Sequence, residues 1–358
     1  MHNHSPNEQG APDSTRDFLA LGQIPGLGDV GIARAWSERP SARGIVTSRG
    51  ADVALAAYSA ADRVLASTAT MGAYAVSTND ARYPDRLREL ADPPHVIFCQ
   101  GHLAMADAPA VAIVGTRHAS SYGLRVARAI ATTCARHGVT VISGLAQGID
   151  GAAHEAALDA GGRTVGVLGT GLSVVYPRRH RALQERIGKE GLLVTELAPH
   201  QSGHGGTFPR RNRLIAALAD VTVVVEAGEG SGALITANVA NTLHRTVACV
   251  PNAIDVPSAI GSNALFKAGA EPILAPDDVL ALLHLRAEPS AAPLLDGEAA
   301  TVWAAISDGA ADFGTIAECS GFTTRQVAAA ITALELEGLV YLEPTGRIRN
   351  ALTSRTRQ

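Results

Sequence analysis

Between residues 111 and 275, short continuous apolar runs alternate with longer stretches whose apolar positions recur every three or four residues. The runs are VAIVG (111–115), VTVIS (139–143), TVGVL (164–168), LLVTE (192–196), VTVVVE (221–226) and TVACV (246–250). Between them, spacings such as Val126, Ile130 and Cys134 mark helices. Strands that are apolar throughout and separated by helices predict an α/β fold with a parallel sheet covered on both faces. Right-handed crossovers then bring the strand C-termini, and the loops after them, to one edge of that sheet.

The flanks read differently. Residues 1–15 are polar and predict a disordered tail, and 16–75 are Ala-rich with helical spacing. Within 16–75, Pro25-Gly26-Leu27-Gly28 forms a small-residue turn between helical stretches, as in a helix-hairpin-helix or SAM-like domain. The sheet domain occupies 76–283, and the Pro/Ala/Ser-rich stretch at 284–297 reads as a linker. Over 298–350, Val302 and Ile306 mark one helix and Phe313–Cys319 a second. A third is capped at Thr323/Thr324 and carries Val327, Ile331 and Leu334 on one face, and GLVYLEPTGRIR then reads as a two-stranded wing. Three helices and a wing make a winged-helix module, followed by a tail at 351–358.

Charge and cysteine usage narrow the function. The net charge of −4 is unlike that of a general nucleic-acid binder. Yet Ala112–Arg213 holds thirteen Lys/Arg against six Asp/Glu, a local +7 that points to a polyanionic ligand. Cys99, Cys134, Cys249 and Cys319 are far apart and form no CxxC pair, so they read as free thiols and neither a zinc site nor a redox dithiol is expected. No apolar run is long enough to span a bilayer, and the N-terminal stretch lacks a signal-peptide apolar region. The expectation is a cytoplasmic protein with no membrane partner.

The chemistry lies in the turns after the strands. The first is Gly115-Thr116-Arg117-His118-Ala119-Ser120, running into a helix. Free amides and the helix dipole there suit an anion, Arg117 offers a planar fork for phosphate, and Ser120 caps the helix or donates to the same oxygens. The second turn, Ser143-Gly144-Leu145-Ala146-Gln147-Gly148, leads to Asp150 and His154, which could form an N-cap and its partner or an acid–base pair. The third reaches Tyr176, a candidate for stacking on a base, and the run Arg178-Arg179-His180-Arg181, which also fits a solvated face. The fourth ends in Phe208-Pro209-Arg210-Arg211-Asn212-Arg213, and three cations at a helix start oppose its dipole unless an anion sits there. The fifth carries Ser231-Gly232 into another helix. Five such turns predict a broad phosphate-tracking surface. Neither GxGxxG after the first strand nor GxxxxGK[ST] occurs, so an NAD site and a P-loop are excluded.

These strings resemble the DNA-processing protein A (DprA/Smf) family. VAIVGTRHASSYG, SGLAQGIDGAAHEAAL, VLGTGLSVVYP, FPRRNRLIAAL, EAGEGSGALITA and GSNALFKAGA are similar to its successive signatures, and Tyr83-Pro84 through Gly101 to its lead-in. The likeness covers about 79–275. Departures are Asn252 after Pro251, where the family usually has glycine, Thr195 before Glu196, and a Gly/His-rich loop at 199–207. The resemblance implies an extended Rossmann-like sheet domain that binds single-stranded DNA, forms homodimers and delivers the recombinase RecA in natural transformation, with no cofactor and no catalysis. It carries phosphate contacts onto Gly115, Thr116, Arg117, Ser120, Ser143, Gly144, Arg211 and Asn212. Local charge adds Arg210, and the turns add Gly148, Ser231 and Gly232. Two other readings compete. One is a phosphoribohydrolase-like enzyme on a nucleoside monophosphate, which needs a glutamate that EAGEGSGALITA does not supply at the right spacing. The other is a double-stranded-DNA regulator acting through the winged helix.

Overall fold

The apolar runs become the centre of a sheet because helices cover them on both sides. The computed structural model describes residues 12–285, 295, 297–337, 339–343 and 346–350. The chain divides into two units, Met1–Arg286 and Ala287–Gln358.

The first unit opens with four helices: α1 (Thr15–Leu21), α2 (Asp29–Glu38), α3 (Ala42–Thr47) and α4 (Ala51–Thr70). Ser14 caps α1 in a reciprocal capping box with Asp17, and the Asp13 carboxylate accepts from the Ala42 and Arg43 amides at the start of α3. The tail expected over 1–15 is therefore corrected at its end: 12–15 are built into the helical unit. Residues 1–11, most of the expected linker (286–294 and 296) and the expected tail at 351–358 lie outside the described residues.

The sheet begins at β1 (Tyr74–Ser77), continues through α5 (Asp85–Arg88) and β2 (Val96–Gly101), and then enters the alternating region. That region runs β3 (Ala110–Val114), α6 (Ser121–Arg136), β4 (Thr140–Ser143), α7 (Ile149–Asp159), β5 (Thr164–Val167), α8 (Arg181–Glu190) and β6 (Leu192–Thr195). It continues with α9 (Thr207–Leu218), β7 (Val221–Val224), α10 (Gly232–Thr242), β8 (Thr246–Cys249), α11 (Ile260–Lys267), β9 (Glu271–Pro272) and α12 (Asp278–Leu282).

Among the described residues the strand order is β1-β2-β6-β5-β4-β3-β7-β8-β9. From β6 to β9 the pairing is parallel, whereas β2 runs antiparallel to β6 and β1 antiparallel to β2. The expected parallel sheet is therefore present, and the segment before residue 110 adds an antiparallel edge to it. From β3 the chain builds outward through β4, β5 and β6, then returns to place β7 on the other side of β3, so a topological switch point lies between β3 and β7.

One face of the sheet shares its core with the helical unit. Phe18, Leu21, Ile45, Val46 and Ala61 pack in one cluster with Phe98, Leu168, Leu172, Ile187 and Leu193. The second unit has its own core of Val302, Ile306, Ile316, Val327, Ile331 and Leu334. It consists of α13 (Gly297–Ser307), α14 (Phe313–Ser320), α15 (Thr324–Leu336) and the antiparallel pair β10 (Val340–Leu342) and β11 (Ile348–Asn350). Among the described residues no helix is long and apolar enough to cross a membrane. Cys99, Cys134 and Cys249 are buried and Cys319 is exposed, all as free thiols.

His154 on α7 is fully buried. Its Nδ1 meets the Thr164 hydroxyl at 2.7 Å, while its Nε2 has no hydrogen-bond partner among the described residues. Burial, reinforced by the nearby His180 and Arg211, lowers its pKa from 6.5 to about 3. Below pH 6.5 the unfolded chain takes up a proton that the folded chain refuses, so this residue makes stability fall as pH drops from 6.5 toward 3. Thermal unfolding at pH 7.5 and pH 5 is expected to show a smaller acid-side loss for His154→Gln than for the native chain.

Candidate functional site

A cavity of about 870 Å³ opens at the C-terminal edge of the parallel strands, over the switch point between β3 and β7. The turns after β3, β4, β5, β6 and β7 all contribute to its walls. Helices α7, α9 and α10 contribute first-turn residues to its lining, so their dipoles bear on one region. Of the residues singled out in the sequence, Gly115, Thr116, Arg117, Arg211, Asn212, Ser231 and Gly232 line this cavity. Gly144 borders a narrow adjoining cleft with Arg117, Tyr176 and Arg211. Ser120, Ser143, Gly148 and Arg210 line neither.

Arg211 forms the floor. Only 5% of it is exposed, and its Nη1 donates to the carbonyls of Gly144 (2.7 Å) and Val167, the ends of the β4 and β5 runs. Its Nε donates to Asn212 Oδ1 at 3.2 Å, and the Asn212 amide donates to the Gly232 carbonyl at 3.0 Å. Burial lowers the guanidinium pKa to about 10, Asp150 opposes that shift and Arg117 adds to it, so Arg211 stays a cation at neutral pH. Gly144 is required beneath it, because a Cβ there would stand 2.5 Å from the guanidinium.

Asp150 balances this charge from inside the turn. Its Oδ2 accepts from the amides of Gly144 (3.0 Å) and Ala146 (3.4 Å). Burial raises its pKa, and Arg211 and the two amides pull it back. Neither form of the expected Asp150–His154 pairing occurs: Asp150 is committed to the loop and His154 to Thr164. Gly148, at φ +78°, caps α7, and a Cβ on it would lie 2.3 Å from the Thr116 carbonyl, so its role is to let the second turn close against the first.

The serines point elsewhere. Ser143 is fully buried and donates to the Ile113 carbonyl at 2.6 Å. Ser120 caps α6 through the Gly123 amide and donates its hydroxyl to Glu226 Oε2 at 2.7 Å. Glu226, buried at the end of the β7 run, also accepts from the Ser120 amide and the Ser258 hydroxyl, tying the first turn to the segment before α11. Sequence reading left Glu226 without this role; a lone acid closing an apolar strand is the signal that marks it.

The arginines of α9 divide between two faces, which corrects the expectation that all three look over the sheet edge. Arg213 pairs with Glu196 at 2.6 Å, and Arg210 reaches Asp92 at 3.4 Å and Glu196 at 3.8 Å. Residues three apart on a helix share a face, so 210 and 213 turn together and 211 turns away. Carboxylates thus answer two of the cations that were expected to need an anionic ligand.

Arg117, by contrast, is exposed on the rim, with its guanidinium 5.8 Å from the centre of the Phe208 ring. Phe208 also meets Tyr176 at 4.9 Å between ring centres, and Tyr176 is 46% exposed. The rim therefore offers a guanidinium with no ion-pair partner among the described residues and aromatic faces side by side, above a buried cation. Phe208 was not among the expected contacts, although it stands just before the arginine run.

Comparison with known proteins agrees with this fold. A family described as DNA recombination-mediator protein A matches residues 74–284, and the DprA winged helix domain matches 286–344. Protein Smf of Synechocystis is 37% identical over 305 residues, which is 78% of this chain and 73% of that one. The DNA processing protein DprA of Bacillus subtilis is 35% identical over 223 residues, 62% of this chain and 75% of that one. The crystal structure of DNA processing protein A from Streptococcus pneumoniae superposes with a TM-score of 0.67 at 31% identity, covering 78% of this chain and 100% of that one. A structure of DNA processing protein A from Helicobacter pylori, described for its single-stranded DNA binding mode, gives 0.54 at 29% identity, covering 59% and 95%.

Arg211→Ala is expected to lower folding stability by about 3 kcal/mol or more, because it strands Asp150 and two carbonyls in the interior. Urea unfolding followed by circular dichroism measures this directly.

Proposed function

The chain belongs to the DNA recombination-mediator protein A family, and on that footing we propose that it grips single-stranded DNA by its phosphates in the cavity over the switch point, without making or breaking a covalent bond in it. The observation that carries this reading is the convergence of Arg117, the buried Arg211 cation and three helix starts on one open rim. Such a rim suits successive backbone anions. Arg117 supplies the exposed fork, and the field of Arg211 reaches the ligand from below without giving up its carbonyl partners. Tyr176 and Phe208 offer ring faces to unstacked bases, which an unpaired strand can present and a duplex cannot. Sequence preference is slight, since phosphates carry no base identity.

The two buried carboxylates near the cavity, Asp150 and Glu226, are held by amides and hydroxyls, which favours a binding role over phosphoribohydrolase chemistry. On the winged helix, α15 carries Arg325 as its one cation and presents Glu335 on its exposed side. That supports an auxiliary or protein-contact role for this module over duplex reading. Family membership extends the proposal to a homodimer that joins two cavities into one strand path, and to delivery of RecA onto the bound strand in natural transformation.

Fluorescence anisotropy of labelled oligo-dT and its duplex across a salt series tests the reading. The single strand is expected to bind more tightly, with a salt slope of roughly −2 to −3 for three or four neutralised phosphates. Arg117→Ala is expected to cost about 1.5–3 kcal/mol of binding while leaving the fold intact. Tyr176→Ala is expected to cost about 1–3 kcal/mol with the salt slope unchanged. Equal affinity of Arg117→Ala and the native chain would overturn the assignment.

A further inference from the structure

The Gly/His-rich loop at 199–206 forms one wall of the cavity through Gly203, His204 and Gly205. Its far end is held by a bridge from the helical unit. His200 Nε2 meets the Ser67 hydroxyl of α4 at 2.6 Å, and His200 Nδ1 meets the Ser173 hydroxyl at 2.8 Å. Ser173 donates its one hydroxyl proton to the Pro199 carbonyl at 2.8 Å, so it accepts from Nδ1–H. Nε2 of the neutral ring is then the acceptor, and Ser67 donates to it. The imidazole thus ties together α4, the turn after β5 and the loop after β6.

The loop lies close on the glycines beneath it. The Gly171 amide donates to the Gln201 carbonyl at 2.8 Å, and a Cβ on Gly203 would stand 2.6 Å from the Gly169 carbonyl. Thr207 joins Gly169 to His204, its hydroxyl lying 2.9 Å from both carbonyls and sharing one proton between them. A chain segment with several glycines has many conformations to lose, and a fixed anchor at its start reduces that loss before ligand arrives. We propose that His200 is a positioning residue through which the N-terminal helices preset the loop wall of the strand-binding cavity. This rests on the reading of that cavity given above. It assigns the helical unit a part in binding without requiring it to touch the strand.

Ser67→Ala removes the bridge without changing charge or any cavity-lining residue. With the full chain and labelled oligo-dT, Ser67→Ala and His200→Ala are expected to weaken binding roughly two- to tenfold, the worth of one hydrogen bond. The salt dependence of Ser67→Ala is expected to run parallel to that of the native chain, because no phosphate contact is lost. Arg117→Ala, measured alongside, should flatten the slope by about 0.7. Amide hydrogen exchange across 199–206 in the free protein is expected to quicken in both bridge variants, with 144–148 unchanged. His200→Gln, which can still donate and accept, should restore affinity and protection. If Arg117→Ala weakens binding and the bridge variants do not, the proposal is overturned. If Arg117→Ala has no effect, the cavity reading fails, and unchanged exchange at 199–206 would separately overturn the bridge.

Discussion

A buried guanidinium organises the edge of this sheet. Arg211 enters from α9, takes the Gly144 and Val167 carbonyls as partners, and faces Asp150 across the turn. Taking a cation out of water is costly, and the cost is met by directed carbonyls and a nearby carboxylate that is itself satisfied by amides. The turns after β4 and β5 are thereby fastened to one helix. Gly144 has no side chain because the guanidinium occupies that space.

The first turn is fixed from the other side. Glu226 holds the start of α6 through Ser120, and Gly148 allows the second turn to lie against Thr116. Arg117 is consequently presented by backbone that is anchored at two points, while its own side chain stays on the rim. An anion arriving there meets donors already in place, so little ordering remains to be done on binding. The same logic separates the arginines of α9: those answered by Glu196 and Asp92 brace the helix against the lead-in segment, and the one left over lines the cavity.

The six central strands were legible because β-branched runs buried on both faces leave a continuous apolar signature, and each starts or ends within a residue or two of its run. The edge strands β1 and β2 were not, since YAVS and VIFCQG lack a following crossover helix and sit in a segment otherwise full of turns. For the site, position along the chain located the turns but not the direction of each side chain. Ser143 and Ser120 are polar residues at the right turns whose hydroxyls are taken by the protein itself. Arg210 and Arg211 are neighbours in sequence and part company on the helix, which the three-residue spacing to Arg213 already contained. Phe208 and His200 depend on partners more than sixty residues away, Arg117 and Ser67, and no local pattern announces those.

The core shared by α1–α4 and the sheet has a consequence for how the protein is made. Phe18 and Leu21 are synthesised well before the apolar surface they cover, which includes Leu168, Ile187 and Leu193. Vectorial synthesis therefore leaves α1–α4 half-clad until β5, α8 and β6 have emerged. These helices are completed late, and the nascent chain carries an uncovered apolar stripe until then.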